Sequence, residues 1–217
     1  MPTLASTARP RRAQAERSAS TQAQLLDAAA HLIHTRSFQG ASMFEVAKAA
    51  GVTPGALQHH FGSKAELMIR LLERSLTEGL DDGPALPPPD APLTVRVQGL
   101  LQGLWQATYA QPRFLVAWGI YFGSVGDSTV IGRVAEVRAR VRAVLHQRFL
   151  QVLPELGERP APAAMVDLVL SSLRGIAVGR LFGASDAADA AHAAQLAALA
   201  SLLTLHCSGL AADAPQR

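Results

Sequence analysis

The chain has 217 residues, 49% of them hydrophobic and 17% charged, with a formal net charge of +3. One cysteine, Cys207, excludes an intramolecular disulfide framework and a cysteine-based zinc finger. Abundant alanine, with glycine and proline gathered in clusters, points to an all-α protein of one or two domains.

Residues 1–17 lack apolar periodicity and are expected to form a disordered basic arm. Its Arg9, Arg11, Arg12 and Arg17 suit either a polyanion or plain solvent. A first helix is predicted over 20–36, with Leu25, Ala28, Ala29, Leu32 and Ile33 at helical spacing. His31 and His34 are three apart, but no third ligand accompanies them, so no metal is expected. Phe38 is expected in the core beside Leu57 and Phe61.

Ser42 with Glu45 is a capping box that opens a second helix, with Val46, Ala47 and Ala50 inward and Gly51 at its end. Thr53 then offers an N-cap and Pro54 fits the first helical position. Leu57 and Phe61 share the inward face of this third helix. Gly55, Ala56, Gln58 and His59 fall on the others. Gly62 breaks it, and Ser63 with Glu66 forms a second capping box for a fourth helix over 64–80, carrying Leu67, Met68, Leu71, Leu72, Leu76 and Leu80. The stretch 79–84 and the triplet Pro87-Pro88-Pro89 stop it in a loop.

Helix, glycine-containing turn and helix is the helix-turn-helix pattern, whose second helix enters the DNA major groove. Its outer face is small at Gly55 and Ala56 and polar at Thr53, Gln58, His59 and Lys64. Residues 1–70 carry eight basic and four acidic side chains, a surplus of +4 that suits a polyanion.

Five more helices are predicted, at about 92–110, 112–124, 127–153, 161–182 and 187–207. The first two hold Trp105, Tyr109, Phe114, Trp118, Tyr121 and Phe122, which read either as core or as the wall of a ligand cavity. Arg138, Arg140, Arg142 and Arg148 form a solvated face or a site for an anionic effector. The last two helices are apolar on more than one face and must be buried in something.

Residues 21–72 resemble the DNA-binding domain of the TetR (tetracycline-repressor-like) family of transcriptional regulators. The resemblance rests on Leu26-Asp27-Ala28-Ala29, Phe38-x-x-Ala41-Ser42, Val46-Ala47-x-x-Ala50-Gly51-Val52 and Gly55-Ala56-Leu57-x-His59-His60-Phe61-x-Ser63-Lys64-x-x-Leu67. The family usually has Tyr where Gln58 stands, often Gly where Ser37 stands, and usually a polar or basic residue where Phe44 stands.

The resemblance implies an N-terminal three-helix helix-turn-helix domain (18–66), a larger helical effector-binding and dimerisation domain (67–210) and a tail (211–217). It implies a homodimer paired through the last two long helices, most often a repressor, on a palindromic operator with half-sites about 34 Å or somewhat more apart. A small hydrophobic or amphipathic effector would release it.

The expected DNA-contacting residues are Ser42, Phe44, Thr53, Pro54, Gly55, Ala56, Gln58, His59, His60 and Lys64. Thr53, His60 and Lys64 go to phosphates, with His60 alternatively held within the domain. Gln58 is able to read adenine. Candidate effector contacts are Trp105, Tyr109, Trp118, Tyr121 and Phe122. No cofactor and no membrane partner are expected. No run of membrane-span length and no secretory leader is read, so a cytoplasmic protein is expected.

Two other classes stay in view. An enzyme would need a nucleophile with its base, or paired carboxylates; no GxSxG, HExxH or phosphate loop is present, and His146 and Asp167 read as isolated. A dimeric small-molecule-binding or interaction module without DNA binding would be signalled by Phe44 and Gln58.

Overall fold

A computed structural model of the chain describes residues 8–78, 86–180 and 186–209, and every regular element among them is a helix. In order these are α1 (Ala8–Gly40), α2 (Met43–Ala49), α3 (Pro54–Phe61), α4 (Lys64–Thr77) and α5 (Leu93–Leu104). A π-helical turn (Trp105–Tyr109) follows, then α6 (Pro112–Gly123), α7 (Ser128–Val152), α8 (Pro154–Gly157), α9 (Pro162–Gly179) and α10 (Asp186–Ser208). The loop read at 79–84, the break at 183–185 and the tail at 211–217 lie outside the described residues.

Helix α1 starts at Ala8, so the arm expected to be disordered to residue 17 is helical from there. Ala, Arg, Gln and Glu are strong helix formers, and propensity outweighs the missing apolar stripe. At its far end Ser37 leaves the helix with φ 77° and ψ 170°. That region is populated almost only by glycine.

Two compact units result, one of Met1–Ser75 with Val116–Ala135, the other of Leu76–Leu115 with Glu136–Arg217. The border therefore differs from the one expected after residue 66. Helix α4 buries Leu67, Met68, Ile69, Leu71 and Leu72, and the first unit's core needs these side chains.

Within the first unit Leu25, Ala29, Leu32, Ala41, Val46, Ala47, Leu57 and Leu67 are buried. Phe38, expected in that core, is half-buried. A Cβ on Gly123 would lie 2.2 Å from its Cγ, so the ring fills the space a larger residue would need. Gly119, one turn earlier, leaves room in the same way for Ile33, 2.9 Å from its would-be Cβ. Ion pairs tie the helices: Arg36 to Glu45 at 3.3 Å, Arg74 to Asp27 at 2.8 Å and Arg133 to Glu73 at 3.1 Å. Asp127 caps α7 by accepting from the amides of Thr129 and Val130.

In the second unit α10 lies against α5, α8 and α9. Its core includes Leu100, Phe149, Leu153, Leu156, Val166, Leu173 and Leu203. Arg96 is buried there and fully used: it donates to the carbonyls of Ala91 (2.9 Å) and Val152 (2.7 Å) and to the Glu155 carboxylate. Nothing in the sequence links two residues so far apart in the chain.

His146 and Asp167, read as isolated, are in fact neighbours. The carboxylate accepts from Arg142 Nε at 2.7 Å and meets His146 Nε2 at 2.9 Å. Arg142 thus leaves the solvated arginine face for an ion pair. No nucleophilic hydroxyl or thiol completes the His–Asp pair among the bonds of the described residues.

Segments Pro162–Gly179 and Ala190–Ser208 each reach a mean hydropathy of 1.3 and are long and apolar enough to cross a membrane, where no such run was expected. Alanine raises that average. The first segment also carries Asp167 and Arg174, and both helices pack against their own unit.

Relieving the backbone at residue 37 should stabilise the protein. Ser37→Gly is expected to raise unfolding stability by about 1 kcal/mol, because the strain removed exceeds the added chain entropy. A urea titration checks this, and an unchanged or lower midpoint refutes it.

The Asp167 carboxyl is held near 2, below its ordinary 3.8, first by the Arg142 hydrogen bonds and then by His146. Its folded-state value is depressed, so its contribution is complete above the ordinary carboxyl range and is lost as pH falls from about 4 towards about 2. Stability in that window should fall more steeply in the native protein than in Asp167→Asn, as followed by thermal melts from pH 5 to pH 2.

Candidate nucleic-acid interface

The three short helices are held in register by their ends. Ser42 Oγ accepts from the Glu45 amide at 3.2 Å, Thr53 Oγ1 from the Ala56 amide at 3.1 Å and Ser63 Oγ from the Glu66 amide at 3.1 Å. Each cap is worth about 1 kcal/mol. The reciprocal half of both capping boxes is absent, since Glu45 turns to Arg36 and Glu66 to Arg70. Gly51 (φ 68°) and Gly62 (φ 69°) make the corners on either side of α3.

Leu57 and Phe61 anchor α3 to the core. Its other faces are open. Thr53, Pro54, Gly55, Gln58 and His59 are exposed, while Ala56 and His60 are half-buried. A Cβ on Gly55 would meet only Thr53 Oγ1, at 3.9 Å. The fold itself leaves room for a side chain there. The His59 and His60 rings meet edge to face at 5.8 Å.

Gln58 donates one amide hydrogen to the Gly62 carbonyl, capping α3. A second amide hydrogen and Oε1 remain, the donor and acceptor that an adenine edge requires. Lys64 is not a free cation. Its Nζ donates to the Phe38 carbonyl at 3.1 Å and lies 4.3 Å from the centroid of that ring. Partial burial lowers its pKa. Two N–H groups remain for a phosphate, but the side chain also joins α1 to α4. Ser42 is half-buried beneath its cap, and Phe44 is 63% exposed on α2. Sequence reasoning missed Arg36; its bond to Glu45 crosses from α1 to α2 and has no local signature.

The five aromatic residues proposed as one effector wall fall into two clusters. Trp105 and Tyr109 stack at 6.4 Å in the second unit. Trp118, Tyr121 and Phe122 form mutual ring contacts of 5.1–5.4 Å in the first, where Phe122 is 63% exposed. The cause is α6, which begins in one unit and ends in the other.

Comparison with known proteins agrees with this geometry. Residues 25–71 match the profile of the family described as bacterial regulatory proteins, tetR family. The chain is 30% identical to the HTH-type transcriptional regulator BetI of Rhizobium meliloti (strain 1021) over 116 residues, 54% of this chain and 57% of that protein. It is 27% identical to the HTH-type transcriptional regulator CymR of Pseudomonas putida over 173 residues, 79% and 85% of the two chains. The alignment thus spans little over half of the first relative and most of the second. Among solved structures, a transcriptional regulator from Rhodococcus sp. Rha1 shares the fold with a TM-score of 0.66 at 22% identity, over 87% of this chain and 96% of that one.

Proteins of this family are regulators and not enzymes; they bind DNA, and they typically dimerise and bind small molecules. The profile match begins in α1 and ends in α4, enclosing the helix-turn-helix, and both relatives are transcriptional regulators, so the chain belongs to the tetR family of bacterial transcriptional regulators.

Proposed function

We propose that the chain is a cytoplasmic repressor that binds a palindromic operator as a homodimer and is released by a small effector. The observation that carries the DNA-reading part is the open face of α3: Gly55 has no neighbour where a Cβ would lie, beside exposed Gln58 and His59. Small size without an internal cause fits close approach of an outside surface, and DNA is that surface for a helix-turn-helix. Thr53, His60 and Lys64 serve phosphates, assisted by Ser42 and Pro54 at the helix starts; Gly55, Ala56, Gln58 and His59 meet base edges. Phe44 offers an apolar contact for a thymine methyl.

Leu168, Leu202 and Leu205 on α9 and α10 are 58%, 65% and 46% exposed. They support pairing of these two helices with their copies in a dimer. Effector binding would shift the population away from the DNA-competent state. The domain limits 18–66 and 67–210 are kept here as functional limits, for DNA reading and for effector binding with dimerisation.

Selection of sites from random duplex DNA tests the reading. A palindrome should be enriched, with affinity falling steeply with salt. If a folded dimer enriches nothing, the alternative of a binding module without DNA recognition takes its place.

Two substitutions separate fold from function. Gly55→Leu should leave the melting temperature within a few degrees, since only Thr53 Oγ1 is near, yet abolish operator binding in a mobility-shift assay. Retained binding would refute the close approach. Gln58→Ala should relax preference at one base pair of each half-site, at a cost of about 1–3 kcal/mol on the preferred sequence. A uniform loss over all sequences would reassign Gln58 to the backbone.

A further inference from the structure

The helix that begins at Leu93 does not finish as it starts. Its last turn, Trp105–Tyr109, is π-helical, closed by the Ala110 amide on the Trp105 carbonyl at 2.8 Å. No proline lies in or beside that turn to force the wider winding. Such turns are rare and cluster at functional sites. Here the turn stacks Tyr109 on Trp105, 6.4 Å apart and 19° from parallel, and sets its edge on Phe114 at 5.1 Å.

Two cations reach this apolar stack, both from α9 or the residue after it. The Tyr109 hydroxyl donates to the Leu170 carbonyl at 3.4 Å, a long bond, and the half-buried Arg174 stands one turn further along α9, near enough to act on that hydroxyl. The guanidinium of exposed Arg180 lies over Trp105, 5.9 Å from the ring centroid. Neither arginine has an ion pair among the described residues. The only acidic residue of α9, Asp167, is taken by Arg142 and His146. Elsewhere in the same unit Arg96 and Arg142 both hold carboxylates.

We propose that this face takes an organic anion with a flat apolar body, its carboxylate on Arg174 and the Tyr109 hydroxyl. The body lies on the Trp105 ring, in the place that Arg180 covers and vacates. The inference rests on the reading of the chain as an effector-responsive regulator and gives that effector a charge. Tyr109 is suited to the role as a donor: burial pushes its pKa to about 12, which keeps the hydroxyl protonated. The same rings without the arginines would suit a quaternary ammonium ion. With two positive charges beside them, such a cation is repelled.

Thermal melts of the full chain with three probes of one shape decide the matter: 2-naphthoate, 2-naphthamide and 2-naphthyl-trimethylammonium, each at the same millimolar concentration. The carboxylate alone should raise the midpoint, by about 3 °C. Arg174→Gln should remove that rise, and Arg174→Lys, which keeps the charge, should retain part of it. An equal shift with the amide, a larger one with the ammonium, no shift with any probe, or an unaltered shift in a folded Arg174→Gln overturns the proposal. Mobility shifts on the selected operator separate the two readings. Naphthoate that binds through Arg174 without releasing DNA leaves the site standing and sinks the effector-released repressor. Release by the ammonium does the reverse.

Discussion

The seat of Phe38 fixes how the recognition helix is presented. Helix α1 breaks at Ser37 in a strained conformation, which turns the chain so that the next ring lies against Gly123 and beneath the Lys64 ammonium. Lys64 also closes on the Phe38 carbonyl. The end of α1 and the start of α4 are thereby tied at one point. Helix α3 ends two residues before Lys64, at Gly62 and Ser63, so its C-terminal end is held by the same tie. Its other end is held by Gly51 and by the Thr53 cap. Between these fixed ends Leu57 and Phe61 leave α3 a single rotational setting, with Gly55, Gln58 and His59 outward. A residue near the DNA face can therefore matter twice. Lys64 has hydrogens left for a phosphate, yet its removal would also loosen the support of α3.

Much of this was legible in the sequence, and the reason is that it is local. Caps, corners and helical spacing depend on residues three or four apart, so Ser42, Thr53, Ser63, Gly51 and Gly62 all did what their positions implied. The five C-terminal helices followed from proline and glycine breaks in the same way. What escaped involves partners far apart in the chain. Arg96 with Glu155, and Arg142 with His146 and Asp167, join helices whose separation leaves no periodic trace. Phe38 looked like core because aromatic residues usually are; that its ring would be shared between a glycine notch and an ammonium depends on the packing of α1 on α6. The aromatic segment failed for a further reason. Helical spacing says which residues share a face but not where a helix passes from one compact unit to another.

The charges of the second unit divide into two kinds. Arg96 is desolvated, and its cost is met by a carboxylate and two backbone carbonyls; breaking such a buried pair costs about 3–5 kcal/mol. Arg142 pairs at the surface, where the gain is small but suffices to hold Asp167 ionised well into acid. Both are accounted for within the chain. Arg174 and Arg180 are not, although each stands beside an aromatic ring. A cation left without a carboxylate on an apolar wall is poorly placed for stability alone, which makes that wall stand out from the rest of the unit.

Two glycines make the corresponding distinction on the DNA side. Gly123 is small because Phe38 occupies the space where its Cβ would be, and the fold explains it completely. Gly55 faces open space, apart from a hydroxyl 3.9 Å away. Helix propensity disfavours glycine there by up to about 1 kcal/mol against alanine. Nothing inside the molecule returns that cost. Its smallness is therefore best explained by something outside the chain that comes closer to α3 than a side chain would allow, and a phosphate backbone or base edge in the major groove meets that requirement.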